Sequence, residues 1–254
     1  MRQLIAIAII TCASAAHADD MAGMTMTSSA PASSHVDAGV SFVAASYQQT
    51  NFGGNYQGVM PELMWSSGRW MAGASLGLYR IFENGSGVYG PGDLMLHASV
   101  ALVERDTWRA GLMLAGTAPT GNMYQAFGMG HPMLMPSAWA SWTVRRITLS
   151  ATSGWGGMLG GDLSEHMMTS IVDPMNASEL EWSAAIDVPI GLGMHGSVLG
   201  QGGIPVGEPG VDRVVGAIRL AWGSDRVETA AELAAGIAGD PFRVRGLVET
   251  ALHF

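Results

Sequence analysis

Methionine and histidine are the residues in this sequence whose spacing invites chemistry. Of 18 methionines, several fall near histidine or near one another: Met21, Met24 and Met26 lie close to the start, Met123, Met129, His131, Met133 and Met135 share one glycine-rich stretch, and His166, Met167, Met168 and Met175 share another. A thioether is a soft ligand that favours Cu(I) or Ag(I) over hard cations, and Met-x-Met or Met-x-x-Met spacing lets two sulfurs reach one ion. Met129, His131, Met133 and Met135 are therefore the candidate metal ligands, in what the sequence presents as a mobile loop with no core to fill. The competing reading is that methionine is a pliable apolar filler, suited to lining a promiscuous channel. The sequence leaves both readings open.

Acid–base chemistry finds less support. His97, His195, Asp93, Glu181 and Ser197 can be drawn as a hydrolase, but no Gly-x-Ser-x-Gly turn occurs, and a nucleophile needs a fixed base beside it. These residues read better as hydrogen-bonded wall groups, so the expectation is a protein without catalytic residues. A formal net charge of −9, from 12 basic against 21 acidic residues, argues against a nucleic-acid partner, because phosphate binding requires a basic excess.

The elements that must position these side chains follow from composition and periodicity. The chain has 35 glycines and only 13% charged residues, and beyond its first residues it has no apolar run long enough to cross a bilayer as a helix. An apolar chain without long apolar runs must alternate. The first 18 residues have the build of an export signal, with Arg2, an apolar centre from Leu4 to Cys12 and a small-x-small site at Ala16-His17-Ala18. Residues 19–38, rich in Met, Ser and Ala, are expected to be a flexible periplasmic tail. Cys12 is the only cysteine, so the exported part must be stabilised without disulfides.

From residue 39 to 254, period-two segments of about ten residues are predicted at 39–48, 59–66, 69–82, 93–103, 108–117, 137–144, 147–155, 179–187, 192–201, 213–222, 226–237 and 242–254. The last shows the pattern best. Val244, Val248, Leu252 and Phe254 fall on one side, and Arg243, Arg245 and Glu249 on the other. Tight connections alternate with longer ones, near 49–58, 83–92, 118–136, 157–178 and 202–211. An even number of strands with short turns on one side and long loops on the other predicts an all-β fold, a transmembrane antiparallel up-and-down barrel of twelve strands. Trp65, Trp70, Trp108, Trp142, Trp155 and Trp222 fall near segment ends on the apolar side, where membrane barrels carry aromatic girdles. A soluble sandwich would place them mid-core. The expected lumen lining is Glu62, Asp93, His97, Arg109, Glu181, Asp187, His195, Arg213, Arg219, Glu228, Glu232, Arg243, Arg245 and Glu249, a mixed-sign surface suited to small solutes. A twelve-stranded bore is narrow enough for the 118–136 loop or the tail to plug it.

Three short motifs in a fixed order add a resemblance. Gly90-Pro91-Gly92-Asp93-Leu94 is expected to open a strand, Pro119-Thr120-Gly121 to close the next, and Pro136-Ser137-Ala138-Trp139 to follow a glycine-rich loop. In this order, over residues 90–142, the chain resembles the outer-membrane transporter family named after the meta-pathway of phenol degradation. The resemblance implies an outer-membrane channel for hydrophobic or aromatic small molecules. Read from the residues alone, Asp93 is more readily a turn-capping carboxylate than a ligand. The expected setting is the outer membrane of a Gram-negative bacterium, with membrane lipid, small solutes and the barrel assembly machinery as partners, the last reading the C-terminal strand that ends in Phe254. The alternative function is soft-metal binding or resistance, with copper or silver caught at the Met/His loops.

Overall fold

The computed structural model describes residues 34–49, 52–83, 85–160, 170–172, 174–207, 210–239 and 242–254. The expected signal segment, most of the expected tail, and His166, Met167 and Met168 lie outside these residues. Twelve strands are formed: β1 (His35–Gln49), β2 (Phe52–Ser67), β3 (Trp70–Glu83), β4 (Ser86–Glu104), β5 (Trp108–Ala118), β6 (Met133–Val144), β7 (Ile147–Met158), β8 (Ser178–Gly191), β9 (Met194–Pro205), β10 (Arg213–Gly223), β11 (Val227–Ala238) and β12 (Phe242–His253). Each pairs antiparallel with its sequence neighbours, and β1 pairs with β12, which closes the ring. Closure leaves no unpaired edge, the condition for β-structure within hydrocarbon.

The two faces of the wall differ as alternation requires. Phe42, Leu63, Leu112, Ile186, Val198, Ile218, Leu233 and Val248 point outward and are between 47% and 60% exposed. Water would penalise so broad an apolar belt, whereas hydrocarbon solvates it. Trp65, Trp70, Trp108, Trp142 and Trp222 gather on the outer face at the short-turn end, with Trp108 directly opposite Trp142 across β5 and β6. Trp155 is also outward but lies on the half of its strand nearer the long loops.

Several strands are longer than period alone suggests. β1 begins at His35, four residues before the expected boundary at Gly39. Of the stretches expected as loops near 49–58 and 83–92, residues 52–58 are instead the start of β2 and residues 86–92 the start of β4. Their glycines are sockets for inward rings rather than turns. A Cβ at Gly58, Gly77 or Gly92 would collide with the ring of Tyr79, and one at Gly90 with the ring of Phe127. Three strands thus give up side chains to seat one tyrosine. Gly90-Pro91-Gly92-Asp93-Leu94 accordingly lies within β4 and does not open it, and Pro136 lies inside β6.

Proline within a strand removes a ladder donor and is tolerated at edges and bulges. A closed barrel has no edges, and four of the five strand prolines sit at a break in the ladder, the fifth, Pro205, being the last residue of β9. The β2–β3 pairing passes from Val59 to Glu62 over Pro61, and the β6–β7 pairing from Leu134 to Ser137 over Pro136. Register shifts lie beside Pro91 in β4 and Pro189 in β8.

Candidate functional site

The site is the lumen and the two loops that roof it. Residues 119–132, between β5 and β6, turn inward through a short 3-10 helix at Met123–Gln125, capped by Asn122. Ile171 N–H and Ser170 Oγ–H, from the loop between β7 and β8, both donate to the carbonyl of Ala126, at 3.2 Å each. The paired loops thrust Phe127, Ile171 and Val172 into a cluster with Val43, Tyr47, Tyr56, Met60, Tyr79, Ile81, Val215, Phe242 and Leu247. Phe127 is 0% exposed. Among the described residues, an apolar cluster thus spans the lumen at its long-loop end.

Two of the three resembling motifs, Gly90–Leu94 and Pro119–Gly121, build the latch that holds this roof. Asp93 accepts the backbone N–H of Gly121 at 2.9 Å and of Met129 at 2.7 Å. Thr120 Oγ1 accepts the N–H of Leu94 and donates to the carbonyl of Gly92, both at 2.8 Å. Gly128 lies so close to the Asp93 carboxylate that a Cβ there would strike it. Asp93 thus caps a loop from its place on the barrel wall.

Below the roof the lumen has two unlike arcs. Over β8–β12 and β1 it is ionic. Glu179 pairs with Arg213, and Glu179 Oε2 also accepts the N–H of Asn176 at 3.1 Å and its Nδ2 at 2.6 Å. Arg219 meets Glu249 at 3.1 Å and Arg245 meets Glu232 at 3.7 Å, with the Arg245 guanidinium 4.8 Å from the Phe242 ring centroid. At the short-turn end Ser197 Oγ donates to Asp187, and His253 contacts Asp37 at 2.8 Å across the closing seam. Such buried pairs stay in place because removing one partner strands the other charge.

Over β2–β7 the lumen is sulfur-rich. Three successive ladder rows run across these strands: Met64–Gly73–His97–Ala115–Met135, then Glu62–Ser75–Met95–Thr117–Met133–Met158, and Ser66–Met71–Ser99–Met113–Ser137. Met129, Met133, Met135 and Met175 pack into one buried cluster, joined at its margin by Met95 and Met158. Sulfur also takes polar contacts, from Tyr79 O–H to Met60 Sδ and between His97 Nε2 and Met64 Sδ, both at 2.9 Å.

The expected lining residues divide accordingly. Asp93, His97, Glu181, Arg213, Arg219, Glu228, Arg245 and Glu249 are buried inside the barrel, and Glu62, Arg109, Asp187, His195 and Glu232 are half-buried. Arg243 is a correction. The β1–β12 register shifts between Ser46 and Tyr47, where Val244 and then Phe242 are the partners. Arg243 is the residue skipped, and this bulge turns Phe242 inward and leaves Arg243 exposed. The metal candidates are also relocated. Met133 and Met135 are strand residues of β6, and they, Met129 and His131 are buried rather than on a mobile surface loop. The hydrolase arrangement is not assembled, since His97 on β4 and His195 on β9 stand five strands apart around the ring and Asp93 is engaged by the loop. Phe127, Ile171 and Val172 were missed, because single apolar residues in irregular loops carry no periodic signal.

A groove of about 730 Å³ opens in the wall of β1–β4, lined by outward Phe42, Val59 and Leu78, by Tyr89, and by two roof residues, Val43 and Tyr79. It lies beside the ladder break at Met60-Pro61.

The architecture is that of an outer-membrane β-barrel, with twelve strands, one lipid-compatible face and a roofed lumen. Among solved structures the chain is similar to an outer-membrane channel from Pseudomonas putida F1, at 11% identity and a TM-score of 0.66 over 87% of this chain and 95% of that one. It is similar also to the translocator domain of the autotransporter NalP from Neisseria meningitidis, at 13% identity and a TM-score of 0.54 over 91% of both chains. The NanC porin matches at 9% identity and a TM-score of 0.54 over 85% of this chain and 98% of that one. No protein-family model matches the sequence, and neither does any curated protein sequence. At these identities the likeness is one of fold.

Proposed function

We propose that this chain is an outer-membrane channel for small hydrophobic or aromatic molecules, of the phenol meta-pathway transporter type. The observation that carries the reading is the roof. Its blocking residues, Phe127, Ile171 and Val172, belong to loops held by a few hydrogen bonds, so the seal is separable from the barrel wall. A gate of aromatic and branched side chains favours solutes that can partition among them. The wall groove, which reaches Val43 and Tyr79 of the same cluster, offers such solutes an apolar surface on the lipid side. The exported chain would reside in the outer membrane of a Gram-negative bacterium. Outward Val248 and Leu252 and exposed Phe254 support the reading that the barrel assembly machinery would recognise β12.

The test is solute flux into liposomes carrying the purified full chain, comparing hydroxybenzoates with acidic oligosaccharides. Hydroxybenzoate entry above that of empty liposomes, increased by Phe127→Ala, is expected. Absence of flux for both the parent and Phe127→Ala overturns the channel reading. Equal entry of both solute classes overturns the aromatic preference.

A further inference from the structure

The sulfur-rich arc is more than a channel for apolar solutes requires. Leucine would fill the same volume, and the ionic arc facing it contains no methionine except Met194, at a short turn. Instead eleven methionines (Met60, Met64, Met71, Met95, Met113, Met123, Met129, Met133, Met135, Met158 and Met175) are gathered on β2–β7 and the roofing loops. Four of them, drawn from two separate loop-and-strand segments, converge under the roof as Met129, Met133, Met135 and Met175. Folding brings Met175 to three sulfurs some forty residues earlier in the chain.

His97 supplies a second and independent observation. It is 6% exposed, and with Nε2 against Met64 Sδ its other ring nitrogen, Nδ1, has no hydrogen-bond partner. A tautomer with the proton on Nε2 leaves the Nδ1 lone pair available in a buried, sulfur-lined setting, and neutral imidazole is a good ligand for copper. Gly73, between Met64 and His97 in the same row, makes the space, because a Cβ there would strike both side chains. Met135 closes the same row two strands further on.

We propose that this arc binds a soft monovalent metal ion, Cu(I) or Ag(I), at a thioether site made by Met129, Met133, Met135 and Met175, with His97 and Met64 as the next donors along the wall. Thioethers carry no proton to lose, so the site holds its ion in acidic medium, where proton competition weakens thiolate sites. The ion gains sulfur ligands without adding negative charge to a lumen that already holds Glu179, Glu181 and Asp93. The inference goes beyond the solute channel and does not depend on it.

The test uses the full chain purified in detergent, with Met21, Met24 and Met26 replaced by leucine so that they contribute no sulfur. Ag(I) is titrated against a competing chelator. One tight equivalent is expected, with affinity falling by about tenfold or more in Met129→Leu/Met133→Leu/Met135→Leu and unchanged in Met71→Leu/Met113→Leu. No binding by the parent, or equal binding by the triple variant, overturns the proposal. Should the triple variant fail to assemble, silver-edge X-ray absorption on the parent decides the matter: a sulfur-dominated first shell supports the site, and a shell of oxygen and nitrogen alone overturns it. Hydroxybenzoate flux measured on the same preparations reports on the channel separately, so either reading can fail alone.

Discussion

Replacing Asp93 by asparagine isolates the latch on the roof. The carboxylate accepts two loop N–H groups, from Gly121 at 2.9 Å and Met129 at 2.7 Å. Asparagine keeps one oxygen and turns an NH2 toward the second donor, so one bond is lost and two donors face each other. A hydrogen bond to a charged acceptor contributes about 1.5–3 kcal/mol, which multiplies the open-to-closed ratio of the loop by about 10 to 150. The barrel wall is untouched, since neither bond belongs to a strand ladder. Two assays read the change. In planar bilayers Asp93→Asn should spend more time conducting than the parent, and in outer-membrane vesicles its 119–132 segment should be cut faster by an added protease. Thr120→Val, which removes the neighbouring side-chain bonds to Leu94 and Gly92, should shift both readouts in the same direction. An Asp93→Asn protein with the parent's conductance and cleavage rate would show that packing around Phe127 alone holds the roof, and the latch argument would be wrong.

Three further outcomes follow from the wall and the lumen. Val248→Arg places a charge on the lipid face and should cost about 2–4 kcal/mol at mid-strand, read as a lower urea midpoint for refolding into bilayers. Glu249→Ala removes the 3.1 Å partner of Arg219 and leaves it Glu232, opposite on β11, so the loss should fall below the roughly 3–5 kcal/mol of a fully unpaired buried charge, whereas Arg219→Met with Glu249→Leu should come close to the parent; equal losses for the single and double variants would deny the pair. Gly58→Ala drives a methyl into the Tyr79 ring and should cost about 1–3 kcal/mol. Added to Tyr79→Leu it should cost little further, and full additivity of the two would refute the socket.

Strand number, order and facing were legible because lipid and lumen demand opposite chemistry of successive residues. Val244, Val248 and Leu252 against Arg245 and Glu249 state that demand directly. Legibility stops where a residue type has two uses. Glycine breaks strands and also makes room for rings, so Gly58, Gly90 and Gly92 read as loop where they are strand, and the partner that decides between the uses, Tyr79 or Phe127, is distant in sequence. Arg243 fails for a related reason, since a bulge shifts facing by one residue and leaves the local pattern unchanged. Methionine is the third case. Apolar and unbranched, it fits lipid, core and loop alike, and only the closed ring places Met64, Met95, Met133 and Met135 on one arc.

The residues that carry most of the family resemblance and the residues that form the two arcs of the lumen are largely different sets. Gly90, Gly92, Asp93, Thr120 and Gly121 act on backbone and rings: they seat Phe127 and Tyr79 and tie the loop to β4. Nothing in that arrangement depends on what passes through the lumen, so two barrels can share these marks and differ in substrate. In the proposed channel a solute or ion would meet the two arcs, one of paired Arg and Glu and one of thioether and imidazole. A resemblance carried mostly by the latch thus bears on how the loop is tied to the wall, and the solute or ion of the proposed channel has to be argued from Met129, Met133, Met135, Met175 and His97 on one side and from Arg213, Arg219 and Arg245 on the other.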